Sequence, residues 1–174
     1  MTVVRQPISR GCLGLTLIEL MVTIAVVAIL AAMAAPSFSS LLGTYRADAA
    51  AQELKTSLDL ARSEAIKIAR TATACPSANG TSCTANSTNW ASGWLIWADA
   101  DGTNVMNASE IIQVMGAVNS SLTFTGTASS VTFQSLGQIS GTAPNFTISH
   151  AASSTTRYVC LSASGSSKVQ SNSC

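Results

Sequence analysis

The chain has 174 residues, with nine basic and eight acidic side chains and a formal net charge of +1. That length suits one domain plus an appendage. Beyond Thr71 only Arg157 and Lys168 are basic, so this half lacks the electrostatic footprint of a nucleic-acid-binding surface. The same half is rich in Ser, Thr, Asn, Ala and Gly, but interleaved Trp, Phe, Val and Ile supply core material and argue against disorder.

The first predicted element is a helix. Arg5 and Arg10 give a short basic leader that ends at Gly14, and from Leu15 to Ala35 the chain is apolar or small apart from Glu19. At ~1.5 Å per residue this run reaches ~31 Å, the thickness of a bilayer core. A carboxylate inside such a run costs several kcal/mol unless a partner neutralises it, so Glu19 calls for a functional reason. Cleavage after Gly14 would free a positive amine on Leu15, and the Glu19 of a neighbouring copy would pair with it.

Gly14, Glu19 as the fifth residue after it, and Pro36 together resemble the N-terminus of a type IV prepilin or pseudopilin. The resemblance implies cleavage by the prepilin peptidase between Gly14 and Leu15 and N-methylation of Leu15. It also implies subunit assembly through Glu19, a helix kink at Pro36, and passage from the bacterial inner membrane into a pilus or pseudopilus fibre with the head in the periplasm beforehand. A secretory signal cut after Ala32-Met33-Ala34 is the first rival, but its apolar segment would be too long and would hold Glu19. A plain single-pass anchor, held by Arg5 and Arg10, is the second, and it explains neither Gly14 nor Glu19.

Past Pro36 the helical signal resumes. Leu54, Leu58, Ala61, Ala65 and Ile68 recur at spacings of four and three and mark one apolar stripe, expected to pack on the chain's own head. Asp59 with Arg62 and Glu64 with Lys67 are spaced to pair on the helix surface. Gly43 is expected to loosen the junction. The expected organisation is a leader over 1–14, a helix over 15–70 and a β-rich head over 71–174. The helix would be membrane-spanning over about 15–37 and amphipathic over about 41–70.

From Thr71 the apolar period becomes two: Leu122/Phe124, Val131/Phe133, Phe146/Ile148 and Tyr158/Cys160 alternate with polar residues. Gly93 to Ala98 (GWLIWA) is apolar on both faces and reads as a central strand. Glycines punctuate at hairpin intervals, so six to eight short antiparallel strands are expected, with the helix stripe across one sheet. The fold class is α+β.

Five cysteines are present, and Cys12 belongs to the leader. Cys75, Cys83, Cys160 and Cys174 would face the periplasm, where disulfides persist, and allow three pairings; the sequence-local ones are favoured, Cys75–Cys83 closing a Pro/Asn/Gly turn and Cys160–Cys174 pinning the tail to the last strand. A zinc site is disfavoured because no C-x-x-C knuckle occurs.

Other constellations carry less. Asp99, Asp101 and Glu110 invite a calcium reading, but Ala108 stands where a twelve-residue loop needs its bidentate acid, so an Asp-Gly turn is expected. Trp94 and Trp97 read as core, with Trp90 the most exposed of the three tryptophans. His150, the only histidine, has no nucleophile motif beside it, and no cofactor, metal or enzymatic role is expected.

The head carries a second resemblance. Ala61-Arg62-Ser63-Glu64-Ala65-Ile66, the strand to Cys75, Trp90-Ala91-Ser92-Gly93-Trp94-Leu95-Ile96-Trp97, Val131-Thr132-Phe133 with Gly137, and Arg157 to Ser162 before Gly165 are similar to the GspH/FimT family. What that implies is a type IV pilin-like fold, with a long helix on an antiparallel head. The implied function is a minor pilin that helps initiate, and enters, a type IV pilus fibre. The alternatives are a GspH-type minor pseudopilin of type II secretion or a FimT-like DNA-uptake pilin. Partners would be other major and minor pilins or pseudopilins, the prepilin peptidase and the inner membrane. DNA-uptake members resemble one another in a Gly-Arg-x-Arg tail. Here Gly165-Ser166-Ser167-Lys168 stands in its place, and any DNA contact would be weak and fall to Arg157 and Lys168.

Overall fold

The computed structural model describes residues 16–174, without the side chains of 33–37. It divides into two compact units, one ending at Phe38 and the other running from Ser39 to Cys174. Helix α1 (Leu17–Ile68) begins in the first and ends in the second.

Within the second unit α1 is amphipathic as its periodicity demands. Ala47, Ala51, Leu54, Leu58, Ala61 and Ala65 are fully buried, and Ile68 packs against the same core at the helix end. Small residues on the first part of this stripe let the helix backbone approach the head closely. Gly43 is the extreme case: a Cβ there would lie 2.5 Å from His150 Cε1 and 2.9 Å from Ser153 Oγ. The residue expected to loosen the helix is thus a close-approach point. The helix ends at Ala69, whose left-handed φ of 53° lets Arg70 N–H donate to the carbonyl of Ala65 at 3.2 Å.

The head holds two four-stranded antiparallel sheets, whereas alternation alone gave no division between sheets. The first contains β1 (Ala72–Pro76), β2 (Trp94–Ala98), β3 (Ile111–Met115) and β5 (Val131–Phe133), in the order β3-β2-β1-β5. The second contains β4 (Leu122–Gly126), β6 (Asn145–His150), β7 (Thr155–Leu161) and β8 (Ser167–Gln170), in the order β4-β6-β7-β8. β2 is interior and buried along its whole length, as its two-faced apolar sequence requires.

One core joins the helix stripe to both sheets: Ala74, Trp94, Ile96 and Phe133 from the first, Phe124, Phe146, Ile148 and Val159 from the second. Trp90 belongs to it and is fully buried, which corrects the expectation that it is the exposed tryptophan. Its indole N–H donates to the carbonyl of Ala128 at 3.2 Å, and its ring meets Phe146 edge-on at 4.8 Å. A smaller cluster of Cys75, Leu95 and Trp97, with Met106 and Ile111 against it, forms separately from this core.

Two disulfides close the head, Cys75–Cys83 and Cys160–Cys174. Each spans a short loop, so each stabilises by roughly 2–3 kcal/mol through the unfolded chain it restricts.

Candidate assembly site

The described part of the N-terminal run is helical and apolar on every side. Leu17, Ile18, Leu20, Met21, Val22, Ile24, Val26, Val27, Ile29 and Leu30 are all exposed. No single stripe is present, so no one partner surface would cover the segment. A helix of this kind is stable only where its whole circumference is apolar, in lipid or among other helices. Glu19 is its single ionisable group between Leu17 and Ala32, and its carboxylate is exposed. Its backbone N–H donates to Thr16 Oγ1 at 3.3 Å, so Thr16 caps the first turn.

Gly14 and Leu15 lie outside the described residues, as does the side chain of Pro36, through which the backbone is assigned helical. Among the described residues no helix is long and apolar enough to cross a membrane. The described side chains of the apolar run stop at Ala32, although the sequence continues apolar to Ala35.

Apolar exposure does not end with the first unit. Leu41 and Tyr45 are 50% and 64% exposed on the head's own part of α1, opposite the buried stripe. The sequence reading missed this second face; its signal is apolar residues at a spacing of four, out of phase with the Ala47-to-Ala65 stripe.

Four charged side chains hold the helix to the head. Arg157 on β7 makes a two-pronged ion pair with Asp48 of α1, through Nε to Oδ1 and through Nη2 to Oδ2 at 3.2 Å. Arg62 donates to the carbonyl of Gly137 at 3.0 Å, and Asp59 accepts from Ser167 at 2.5 Å and from Lys55 at 2.6 Å. The expected Asp59–Arg62 pair does not form, because both side chains find partners in the head or one turn back; Glu64–Lys67 does form, at 3.1 Å. Of the two residues assigned to a DNA contact, Arg157 is thus engaged by a carboxylate, and Lys168 is exposed on β8.

The acidic loop is organised by its own backbone. Asp99 Oδ1 accepts from Gly102 and Asn104 N–H, both at 3.0 Å. Glu110, which is buried, accepts from Ala100 at 2.8 Å and from Asn107 at 3.2 Å. Asn107 returns a capping box at the short 3₁₀ turn Ala108–Glu110. Asp99, Asp101 and Glu110 bring carboxylate oxygens within 4.8 Å of one another, and hydrogen bonds from the backbone stabilise the three acids. His150 is buried and accepts from Ser153 N–H at 3.1 Å, a capping role. A cleft of about 370 Å³ lined by Thr73, Asn86, Trp97 and Thr132, among others, holds no carboxylate, imidazole or amine.

An all-round apolar helical segment with one carboxylate, leading into a helix-clamped and disulfide-closed β head, is the architecture of a pilin-type subunit. Residues 50–165 match the family described as Type II transport protein GspH, and residues 9–35 match the prokaryotic N-terminal methylation motif. The chain belongs to this GspH family. Its fold is similar to that of the type IV minor pilin FimU of Pseudomonas aeruginosa in two crystal forms. In one the TM-score is 0.55 at 20% identity, covering 71% of this chain and 91% of that one. In the other it is 0.54 at 21%, covering 72% and 87%. The minor pseudopilin EpsH of the Vibrio cholerae type 2 secretion system is also similar, with a TM-score of 0.50 at 14% identity, covering 72% and 97%. No curated protein sequence matches the chain significantly.

Proposed function

We propose that this protein is a low-abundance subunit that helps initiate a type IV pilus and is incorporated in the fibre. The observation that carries the reading is the exposed apolar stretch of α1 from Leu17 to Leu30, with Glu19 as its only charge, which lies within the match to the methylation motif. In this account the prepilin peptidase cuts between Gly14 and Leu15, and the new N-terminus is methylated. Residues 15–37 hold the subunit in the inner membrane with the head outside. Glu19 then pairs with the Leu15 amine of a neighbour, which sets the axial register. Burial of Leu17 to Leu30 among other helices holds the stack, and the exposed face at Leu41 and Tyr45 extends that contact onto the head's own helix.

The test is a deletion strain that also lacks the retraction motor. Pili that vanish on deletion and return when retraction is blocked support priming; normal numbers with retraction intact contradict it. The family's own description, a transport protein of type II secretion, favours a second reading as a secretion pseudopilin. Loss of secretion with normal pili in the same strain would select it. A DNA-uptake role draws no support from a tail whose one charge is Lys168, nor from Arg157 on β7, which is paired with Asp48.

A further inference from the structure

Sheets with free edges attract other strands unless the edge is covered, charged or bent. The head has four such edges, and three are managed. β4 is covered by its own chain: Asn89 bridges to Thr125, Trp90 N–H donates to Phe124 at 3.0 Å, and Gly126 N–H donates to Thr88 at 2.9 Å. β5 is covered by the hairpin after it, through the Phe133–Ile139 bridge and Ser140 N–H to Thr132 at 2.8 Å. β8 carries exposed Lys168, is tied by Ser167 to Asp59 of α1, and ends near the Cys160–Cys174 bond.

β3 is neither covered nor charged, and beyond its bulge at Ile112 it is regular from Gln113 to Met115. Its sequence, Ile-Ile-Gln-Val-Met, holds no charge and no proline. Among the described residues no hydrogen bond reaches Ile111–Met115 from any segment but β2. The register shift between Ile96 and Trp97 leaves Ile112 as the extra, unpaired residue of β3, a bulge, while Gln113, Val114 and Met115 stay in regular register. A Cβ placed on Gly116, just past the strand, would meet nothing within 4 Å. Gly80 of the Cys75–Cys83 loop lies against Val114, yet Val114 remains 48% exposed and Ile112 40%. Val114 pairs in register with Leu95, a buried member of the Cys75–Leu95–Trp97 cluster.

We infer that the outer edge of β3 is a docking edge, which an extended, uncharged segment of another pilin-type subunit joins as an added strand. The inference rests on the fibre reading above. The outward backbone N–H and C=O groups of the regular stretch from Gln113 to Met115 supply the hydrogen bonds, and the exposed side chains of Ile112 and Val114 select the partner's side chains. A charged residue facing them would lose water with no counter-charge in the strand, so the fitting segment is neutral and rich in small or β-branched residues.

A photo-crosslinking residue at Ile112 of the full-length chain, in cells that assemble fibres, tests this. The expected adduct, read by mass spectrometry, joins Ile112 to a neutral extended segment of a different pilin-type subunit. Val114→Lys should lower its yield at least tenfold, while Val105→Lys, also exposed but off the strand, leaves it unchanged. Intact disulfides and an unshifted melting temperature verify that the lysine variants fold. No adduct, an adduct to a second copy or to lipid, or full yield in Val114→Lys would overturn the inference. Sheared fibres from the same cells separate the two claims. Val114→Lys with undiminished adduct and a chain present in fibres refutes the docking edge alone. A strong adduct with the chain absent from fibres refutes the fibre reading alone.

Discussion

Ala69 holds a φ of 53° so that α1 can stop and the chain can turn into β1. A side chain in the left-handed region costs about 1 kcal/mol that glycine avoids, so Ala69→Gly should stabilise the head by about 0.5–1 kcal/mol in denaturant unfolding. Gly43 is the opposite case. Gly43→Ala would drive a methyl into the His150 ring, which Ser153 fixes in place, and should cost about 1–3 kcal/mol. Asp101 sits below the ordinary carboxylate range, first because the Thr103 hydroxyl bonds to it and next because the Thr103 N–H does. Its depressed folded pKa means that its contribution is complete above the usual carboxylate range. That contribution is lost as acid carries the pH through the folded value. Protection of the Thr103 N–H, exchange corrected for its intrinsic pH dependence, should therefore fall only in that acidic window; a loss of protection at neutral pH would contradict the assignment. Of these residues only Asp101 was legible as a turn former. Ala69 and Gly43 show no local signal, since one reflects where the helix must end and the other a contact with a residue more than a hundred positions away.

Helix and strands differ in how much their sequences disclosed. The Leu54-to-Ala65 stripe was readable because burial on one face imposes a spacing of three and four, and Leu58→Ala should cost about 2–5 kcal/mol because the site is fully enclosed. The central position of β2 was readable for the same reason, both faces being apolar. The division of eight strands between two sheets was not, because alternation tells which side of a strand is buried and not which strand lies beside it. The burial of Trp90 was not legible for a related reason: its neighbours in sequence are polar or small, while the Asn89–Thr125 bridge and the Trp90 N–H bond to Phe124 hold it against β4 with its ring in the core. Ion pairs were the least legible. Asp59 and Arg62 had suitable spacing, but a helix-surface pair contributes only a few tenths of a kcal/mol and yields to partners in the head. The Arg157–Asp48 clamp is partly exposed and should contribute about 0.5–1 kcal/mol in a double-mutant cycle.

At the scale of the whole molecule, the residues that close the head differ from those proposed at the N-terminus for incorporation. The head is closed by its core and two disulfides, while the exposed apolar helix contributes nothing to that closure and has no use in water. Changes at the N-terminus should therefore alter assembly without altering the melting of the head. Gly14→Ala should leave the chain at its precursor length, and a chain that still shortens would refute the cleavage site. The central claim is that Glu19 directs incorporation, and it is tested most directly by measuring the chain in sheared fibres, wild type against Glu19→Ala, with the membrane level of each as reference. The account predicts at least a tenfold loss from fibres with membrane level, processing and head stability unchanged. Recovery of Glu19→Ala in fibres at the wild-type level would contradict it.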